Sequence, residues 1–163
     1  AVRDDPEDHE LRVAFDFDGV IADDEAEKVY GINEDVREFH DSESVHVDVP
    51  HNPGPLQDLF MKLAHLQRLE RKRENRNPEY KRLLRTAIVT ARNAPSHERM
   101  VTTLREWGVT VDETFLLGGI VKTRILEVLR PHIYFDDQIT HLKSAAGLIP
   151  SVHIPFGIRN KAT

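Results

Sequence analysis

The sequence predicts an α/β fold in which helices, a mostly parallel sheet and further helices form three layers. Short apolar runs rich in β-branched and aromatic residues alternate along the chain with longer segments whose apolar residues recur three and four positions apart. This alternation is typical of βαβ units and a parallel sheet. The predicted strands are residues 12–17, 85–89, 132–135 and 151–154, with a weaker fifth strand at 114–117.

Four helices are predicted between these strands. The first begins at Pro55, and the second follows Ser96 and ends before Gly108. The third covers residues 122–130 and is stopped by Pro131, and the fourth covers residues 138–146. The connection at 23–52 is much longer than the others, so we expect one domain, 1–163, with 23–52 as a small cap or lid insertion after the first strand. The tail after Gly157 is expected to be frayed.

Composition excludes several classes of protein. The 163 residues contain no cysteine, which rules out disulfides, thiolate zinc sites and thiol nucleophiles. The formal net charge of −6 argues against a nucleic-acid polymer as partner. No apolar run approaches the ~20 residues that cross a membrane, and residues 1–10 do not have the pattern of a signal peptide. A cytoplasmic location is therefore expected.

Asp16-Phe17-Asp18-Gly19 ends the first predicted strand. Ligands bind at the carboxyl ends of strands in open α/β sheets, and side chains two apart on a strand share a face. Asp16 is therefore positioned to attack phosphorus while Asp18 transfers protons, and Gly19 allows a sharp turn.

Three further features follow the other strands or lie just beyond them. Thr90-Ala91-Arg92 offers a hydroxyl to a phosphoryl oxygen, and Lys122 offers a cation. Asp136-Asp137 offers carboxylates to Mg²⁺, which prefers such ligands together with phosphate and water.

Each feature has an ordinary structural explanation when it is taken alone. The D-x-D pair alone fits a helix cap or a pair of loop carboxylates, and Thr90 alone fits a hydroxyl that satisfies the backbone at the strand end. Lys122 fits a solvated surface cation, and Asp137 fits the N-cap of the following helix. Their joint occurrence in an order that builds a phosphate site favours the functional interpretation.

These residues resemble the haloacid-dehalogenase (HAD) superfamily of phosphotransferases, with D-x-D-G, Thr, Lys and D-D in that order. Longer strings resemble the cytosolic type I 5′-nucleotidases between about Leu11 and Gly157. They are Phe15-Asp16-x-Asp18, Asp24-Glu25-Ala26-Glu27-Lys28-Val29, Gly54-Pro55-Leu56, Val89-Thr90-Ala91-Arg92-Asn93-Ala94, Leu104-Arg105-x-Trp107-Gly108, Arg130-Pro131-His132-Ile133-x-Phe135-Asp136-Asp137-Gln138 and His153-Ile154-Pro155-Phe156-Gly157. Two features depart from that family: Phe17-Asp18-Gly19 replaces its usual Gly-Asp-Ala, and its additional N-terminal half is absent.

The resemblance implies a Rossmann-like domain. It also implies hydrolysis of nucleoside 5′-monophosphates through an aspartyl phosphate on Asp16, with Asp18 as general acid and then general base. It implies Mg²⁺ held by Asp16, Asp136 and the backbone carbonyl of Asp18. The phosphate would be bound by Thr90, Ala91 and Lys122, and Asp137 would orient the metal ligands.

Several assignments stay open at this stage. Asp24 and Glu27 either face a ribose or cap a helix, and Arg92 either contacts substrate or stabilises its loop. His40, His46 and His51 lack the spacing of zinc sites, so a solvated polar loop is favoured for them. The alternatives to a nucleotidase are a HAD phosphatase for another small phosphomonoester and a non-catalytic nucleotide-binding module. Whether the chain forms a homo-oligomer also stays open.

Overall fold

Five parallel strands form the sheet in the described part of the chain. The computed structural model describes residues 7–26, 28 and 36–160, with side chains for all of them except 36–40 and 159. The order across the sheet is β3-β2-β1-β4-β5, and every neighbouring pair is parallel. The strands are β1 (Leu11–Phe15), β2 (Leu84–Thr90), β3 (Glu113–Leu116), β4 (Ile133–Asp136) and β5 (Ser151–His153).

Helices cover both faces of this sheet, which confirms the predicted three-layer α/β architecture. The helices are α1 (Val36–Val45), α2 (Gln57–Arg76), α3 (His97–Glu106), α4 (Lys122–Leu129) and α5 (Ile139–Ala145). One face packs against α2 and α3 through Phe60 and Met100. The other face packs against α4 and α5 through Leu126 and Leu142.

The central strand β1 contributes to both cores because its side chains alternate. Val13 and Phe15 belong to the core under α2 and α3, and Ala14 belongs to the core under α4 and α5. Phe15 stacks on Phe135 with ring centroids 5.1 Å apart and meets Phe60 edge-on at 5.4 Å. This packing fixes the carboxyl end of β1, the central strand, at the end of the sheet where ligands bind in α/β folds.

The first strand ends two residues earlier than predicted, at Phe15, so the D-x-D pair lies in a turn and not on a strand. The Asp16 amide still donates to the carbonyl of Phe135 at 2.8 Å. The Asp16 carboxylate then accepts from the Phe17 amide at 2.7 Å, and the chain turns through Phe17–Ile21 with φ +71° at Gly19. This local hydrogen bond competes with further pairing in the sheet.

The two ends of the 23–52 insertion lie side by side. Ala22 and Pro53 form an antiparallel bridge, and the Asp23 amide donates to the carbonyl of Asn52 at 3.0 Å. Gly54 packs so closely against Ala22 that a Cβ atom would overlap the Ala22 carbonyl oxygen. The insertion therefore leaves the sheet and returns to it at one narrow neck.

Some expected elements differ or lie outside the described residues. Within the insertion, residues 27 and 29–35 are not described, and Val36–Val45 forms α1. The tail does not fray directly after Gly157, because Ile158–Asn160 forms a 3₁₀ turn. The side-chain amide of Asn160 donates to the carbonyls of Asp137 and Phe156 at 2.9 and 2.7 Å. None of the described helices combines the length and the apolar character that crossing a membrane requires.

Candidate active site

Asp16, Lys122 and Asp136 meet at the carboxyl ends of β1 and β4. The Lys122 ammonium lies 2.5 Å from Asp16 Oδ2 and 2.9 Å from Asp136 Oδ2. All three side chains are buried, with no more than 4% of any residue exposed. The structure thus brings Asp16 together with two residues that lie more than a hundred positions later in the chain.

Lys122 reaches this position because it is the first residue of α4. The loop before it contains Gly118 and Gly119, whose φ angles of +52° and +94° suit glycine. The interpretation of Lys122 as a solvated surface cation is therefore wrong. Burial tends to lower its pKa, but the charges of Asp16 and Asp136 raise the pKa of the ammonium above its ordinary value.

Asp136 is the most heavily hydrogen-bonded carboxylate of the site. Its Oδ2 accepts from the Tyr134 hydroxyl as well as from Lys122. Its Oδ1 accepts from the Gln138 amide at 2.8 Å, and His141 Nδ1 lies 3.3 and 3.2 Å from the two oxygens. Burial raises its pKa, but these donors outweigh burial and hold the pKa of Asp136 well below its ordinary value. The sequence analysis did not identify Tyr134 or His141.

Asp16 has the opposite electrostatic character. Burial, followed by the charges of Asp136 and Asp18, raises its pKa to about 7, although Lys122 acts to lower it. The site thus concentrates more carboxylates than one lysine compensates. An additional cation at this point would favour the ionised form of Asp16.

The donor set fits a divalent metal ion. Ligand atoms of Asp16, Asp136 and His141 all lie within 4.8 Å of one another. Carboxylate oxygens completed by water suit Mg²⁺, whereas an imidazole nitrogen is a less usual ligand for it. Asp16 and Asp136 therefore fit the metal, and His141 fits the role of a hydrogen-bond partner that orients Asp136.

Asp18 is held by Arg92. The Nε and Nη2 groups of Arg92 donate to the two carboxylate oxygens of Asp18 at 2.8 and 2.7 Å, which is a bidentate salt bridge. Both side chains follow the ends of neighbouring central strands, β1 and β2. The structure thus connects Arg92 to the catalytic candidate Asp18, a contact that the sequence analysis did not anticipate.

The insertion supplies further charged groups to Arg92. Glu43 of α1 is buried and pairs with Arg92 Nη1, and its other oxygen accepts from Arg99 at 3.0 Å. His51 Nε2 lies 3.1 Å from Arg92 Nη2 and 3.3 Å from Glu43. His51 is 2% exposed, so the expectation of a solvated loop is wrong for this residue. His46 is exposed and bonds the Ser42 carbonyl, and the side chain of His40 is not described.

Thr90 and Ala91 lie at the end of β2. The Thr90 hydroxyl is buried and accepts from the Arg92 amide at 3.3 Å, as its structural interpretation predicts. Ala91 is exposed at the same loop. A buried hydroxyl beside an exposed loop backbone is compatible with phosphate binding, although the hydroxyl already has one intramolecular partner.

Asp137 is fully buried, and it is not the N-cap of α5. The cap is Gln138, whose amide is satisfied by Asp136. The carbonyl of Asp137 accepts from Asn160 and contacts His153 Nε2 at 3.0 Å. The C-terminal segment therefore fixes the backbone of Asp137 beside the site.

Asp24 holds the same C-terminal segment. Its carboxylate accepts from the Ile158 amide at 2.9 Å and pairs with Lys28 at 2.7 Å. Burial raises its pKa, but these two partners lower the pKa of Asp24 below its ordinary value. The structure gives this side chain two protein partners. Glu27 lies outside the described residues.

A second carboxylate–imidazole group lies at the neck of the insertion. Ligand atoms of Asp23, Glu25 and His51 come within 4.8 Å of one another. Arg99 already donates to Glu25 at 2.9 Å, and Asn52 donates to Asp23 at 3.1 Å. A guanidinium at this point disfavours a second cation.

Comparison with known proteins identifies a protein family and a similar curated protein. The sequence profile of the 5′-nucleotidase family matches residues 1–161. Cytosolic 5′-nucleotidase 1B from Homo sapiens is 39% identical over 145 residues, which make up 86% of this chain and 23% of the human protein. The chain thus spans less than a quarter of the length of this curated relative. No solved structure has significant similarity to the chain.

Proposed function

Because the chain belongs to the 5′-nucleotidase family, we propose that it hydrolyses nucleoside 5′-monophosphates to nucleoside and phosphate with Mg²⁺, through an aspartyl phosphate on Asp16. The observation that carries this proposal is the buried contact of Asp16 with Lys122, 2.5 Å apart, beside Asp136. A carboxylate nucleophile needs neighbours that keep it ionised and receive the phosphoryl charge, and the contact of Lys122 with Asp16 supports both of these proposed roles.

Asp16 attacks phosphorus in this proposal, and the nucleoside 5′-oxygen leaves. Mg²⁺, held by Asp16, Asp136 and the backbone carbonyl of Asp18, would supply charge neutralisation for the phosphoryl oxygens when it is bound. Lys122, the Thr90 hydroxyl and the backbone of Ala91 are the proposed phosphate ligands. Asp137 and His141 orient the residues around the metal.

Asp18 is the proposed acid and base. It protonates the leaving 5′-oxygen and then takes a proton from the water that hydrolyses the acyl phosphate. Both of its carboxylate oxygens accept from Arg92. Asp18 must therefore share or release one of these hydrogen bonds at each proton transfer, which makes the position of Arg92 part of the mechanism.

The 23–52 insertion is the proposed cap of a single domain, and it selects the nucleoside. Glu43 and His51 of this segment reach Arg92, which in turn reaches Asp18, so the insertion lies against the catalytic turn. A cytoplasmic location is proposed from the name of the human relative. A small phosphomonoester is the proposed partner.

A substrate panel tests the proposal. Release of phosphate from nucleoside 5′-monophosphates and from sugar phosphates is measured with Mg²⁺ and with a chelator. We expect turnover of nucleotides in Mg²⁺ and its loss in chelator. Preference for sugar phosphates over every nucleotide would contradict the nucleotidase assignment.

Asp16→Asn tests the nucleophile, with the exposed Asp58→Asn as matched control. We expect Asp16→Asn to retain its circular dichroism spectrum and lose turnover, while Asp58→Asn retains activity. Acid quenching of the wild type with ³²P-labelled substrate should trap phosphate on the protein, and Asp16→Asn should trap none. Substantial turnover by Asp16→Asn would rule out the aspartyl phosphate.

A further inference from the structure

All three guanidinium nitrogens of Arg92 contact polar groups of the protein. Nε and Nη2 contact Asp18, and Nη2 also contacts His51 Nε2 at 3.1 Å. Nη1 contacts Glu43 and the carbonyl of Ser96, the latter at 2.8 Å. The orientation of the Nε–Nη2 edge of the guanidinium, which faces Asp18, therefore depends on the groups that hold the opposite nitrogen, Nη1.

Glu43 is the charged anchor on that opposite nitrogen. Glu43 belongs to α1 of the insertion, and only 2% of its surface is exposed. Burial raises its pKa, but His51 and Arg92 together lower the pKa of Glu43 to about 2. A carboxylate so deeply buried is stable only because it is fully paired. Glu43 lies far along the chain from the phosphate-site motifs, so the sequence pattern did not identify it.

We propose that Glu43 is a positioning residue that acts through Arg92 to orient the Asp18 carboxylate; this rests on the proposed role of Asp18 in hydrolysis. Through Glu43 and Arg92, the insertion thereby contributes to the catalytic geometry. A fixed guanidinium holds the proton-transferring carboxylate in one rotamer, and small displacements of such groups reduce turnover strongly.

A purely structural role for Glu43 gives a different expectation. Glu43 also pairs with Arg99, which in turn donates to Glu25 and to the carbonyl of Val49. If Glu43 only fastens the insertion to α3, removal of another carboxylate on Arg99 should have a similar effect. Glu25 makes that comparison available, because it contacts Arg99 and is half exposed.

The experiment compares Glu43→Gln with Glu25→Gln in steady-state kinetics at saturating Mg²⁺. For Glu43→Gln we expect kcat to fall at least about tenfold while KM stays within about threefold, since orientation and not binding is lost. Glu25→Gln should stay near wild type in both constants. Glu43→Asp, which keeps the charge, should recover part of the lost kcat.

A second measurement does not depend on turnover. The ¹⁵Nε–¹H signal of Arg92, assigned by its loss in Arg92→Lys, should exchange slowly in the wild type and in Glu25→Gln. It should exchange at least about tenfold faster in folded Glu43→Gln, or in Glu43→Asp if the Gln variant does not fold.

The outcomes separate the two proposals. An inactive wild type would contradict the hydrolase function and leave the Arg92 signal to decide the positioning role. An active wild type with unchanged kcat in Glu43→Gln, or an equal loss in Glu25→Gln, would overturn the role of Glu43 alone. An unchanged Arg92 exchange rate in the tested Glu43 variant would overturn it as well.

Discussion

Gly19 and Asp137 are in such close contact that a side chain at position 19 would have to displace the Asp137 carboxylate. A Cβ atom there would lie 2.7 Å from Asp137 Oδ2. The turn that carries Asp16 and Asp18 therefore rests on the second carboxylate of the pair that ends β4. This contact joins the two halves of the proposed site across the sheet edge.

Gly19→Ala should lose stability and activity together. Gly108 offers a matched control, since its φ of +63° is similar to the +71° of Gly19 but a Cβ there meets nothing within 4 Å. Urea unfolding should show a loss of roughly 1–2 kcal/mol for Gly108→Ala from the positive φ alone. Gly19→Ala should lose about 1–3 kcal/mol more because of the overlap with Asp137. Equal losses, with activity retained in both variants, would show that the Asp137 contact is unimportant.

Lys122→Met should leave Asp16 and Asp136 buried without their shared ammonium. Breaking a buried ion pair in this way costs about 3–5 kcal/mol. We expect turnover to fall on the order of 10²-fold because the variant lacks the cation that is proposed to contact the phosphoryl oxygens. The exposed Lys143→Met is the control and should change neither property appreciably. Stability is measured by urea unfolding in chelator, and wild-type stability of Lys122→Met would contradict the charge argument.

Mg²⁺ should stabilise Lys122→Met more than it stabilises the wild type. The proposed ion would bind the folded state and compensate the two carboxylates that the variant leaves without their ammonium. In the wild type it would share Asp136 with the Lys122 ammonium. Thermal unfolding in chelator and in excess Mg²⁺ gives the two shifts, and a shift no larger in the variant would argue that the ion does not bind between these carboxylates.

The fold could be predicted because its signals are local. Alternating strands and helices identified all five strands of the described sheet to within two residues at their ends, and the family resemblance is confirmed by the profile match. The predicted end of β1 was wrong because the Asp16 carboxylate accepts a hydrogen bond from the backbone amide of its neighbour, Phe17. Pattern rules do not weigh that competition.

The site was only partly predictable, because several partners are distant in sequence. Glu43 and His51 lie in a polar insertion, and burial of such residues depends on Arg92 meeting them in space. Tyr134 left a usable signal, since it lies two residues before Asp136 and shares its side of β4. The roles of Asp16, Asp18 and Thr90 remain predictions that the experiments above test.

Acid should weaken the wild type more than Glu43→Gln. Burial raises the pKa of Glu43, but His51 and Arg92 lower it from 4.5 to about 2. A carboxyl group with a lowered pKa in the folded state contributes stability above its unfolded pKa, and this contribution is lost as the pH falls through the folded pKa. The free energy of unfolding of the wild type relative to the variant should therefore be constant above pH 4.5 and fall by up to about 3 kcal/mol toward pH 2. A difference that is independent of pH in this window would contradict the buried ion pairs of Glu43.

Gly54→Ala should destabilise the neck of the insertion. A Cβ on Gly54 would overlap the backbone of Ala22, and its amide also donates to the carbonyl of Ile21 at 3.0 Å, so neither strand of the neck can move without losing a hydrogen bond. Gly147→Ala is the control, because a Cβ at that position meets nothing within 4 Å.

We expect Gly54→Ala to lose about 1–3 kcal/mol in urea unfolding, while Gly147→Ala stays within about 0.5 kcal/mol of the wild type. Limited proteolysis at low denaturant should cut the 23–52 segment faster in Gly54→Ala, because that segment opens from its neck. Uniformly faster cutting along the chain would show instead that the neck unfolds only together with the sheet.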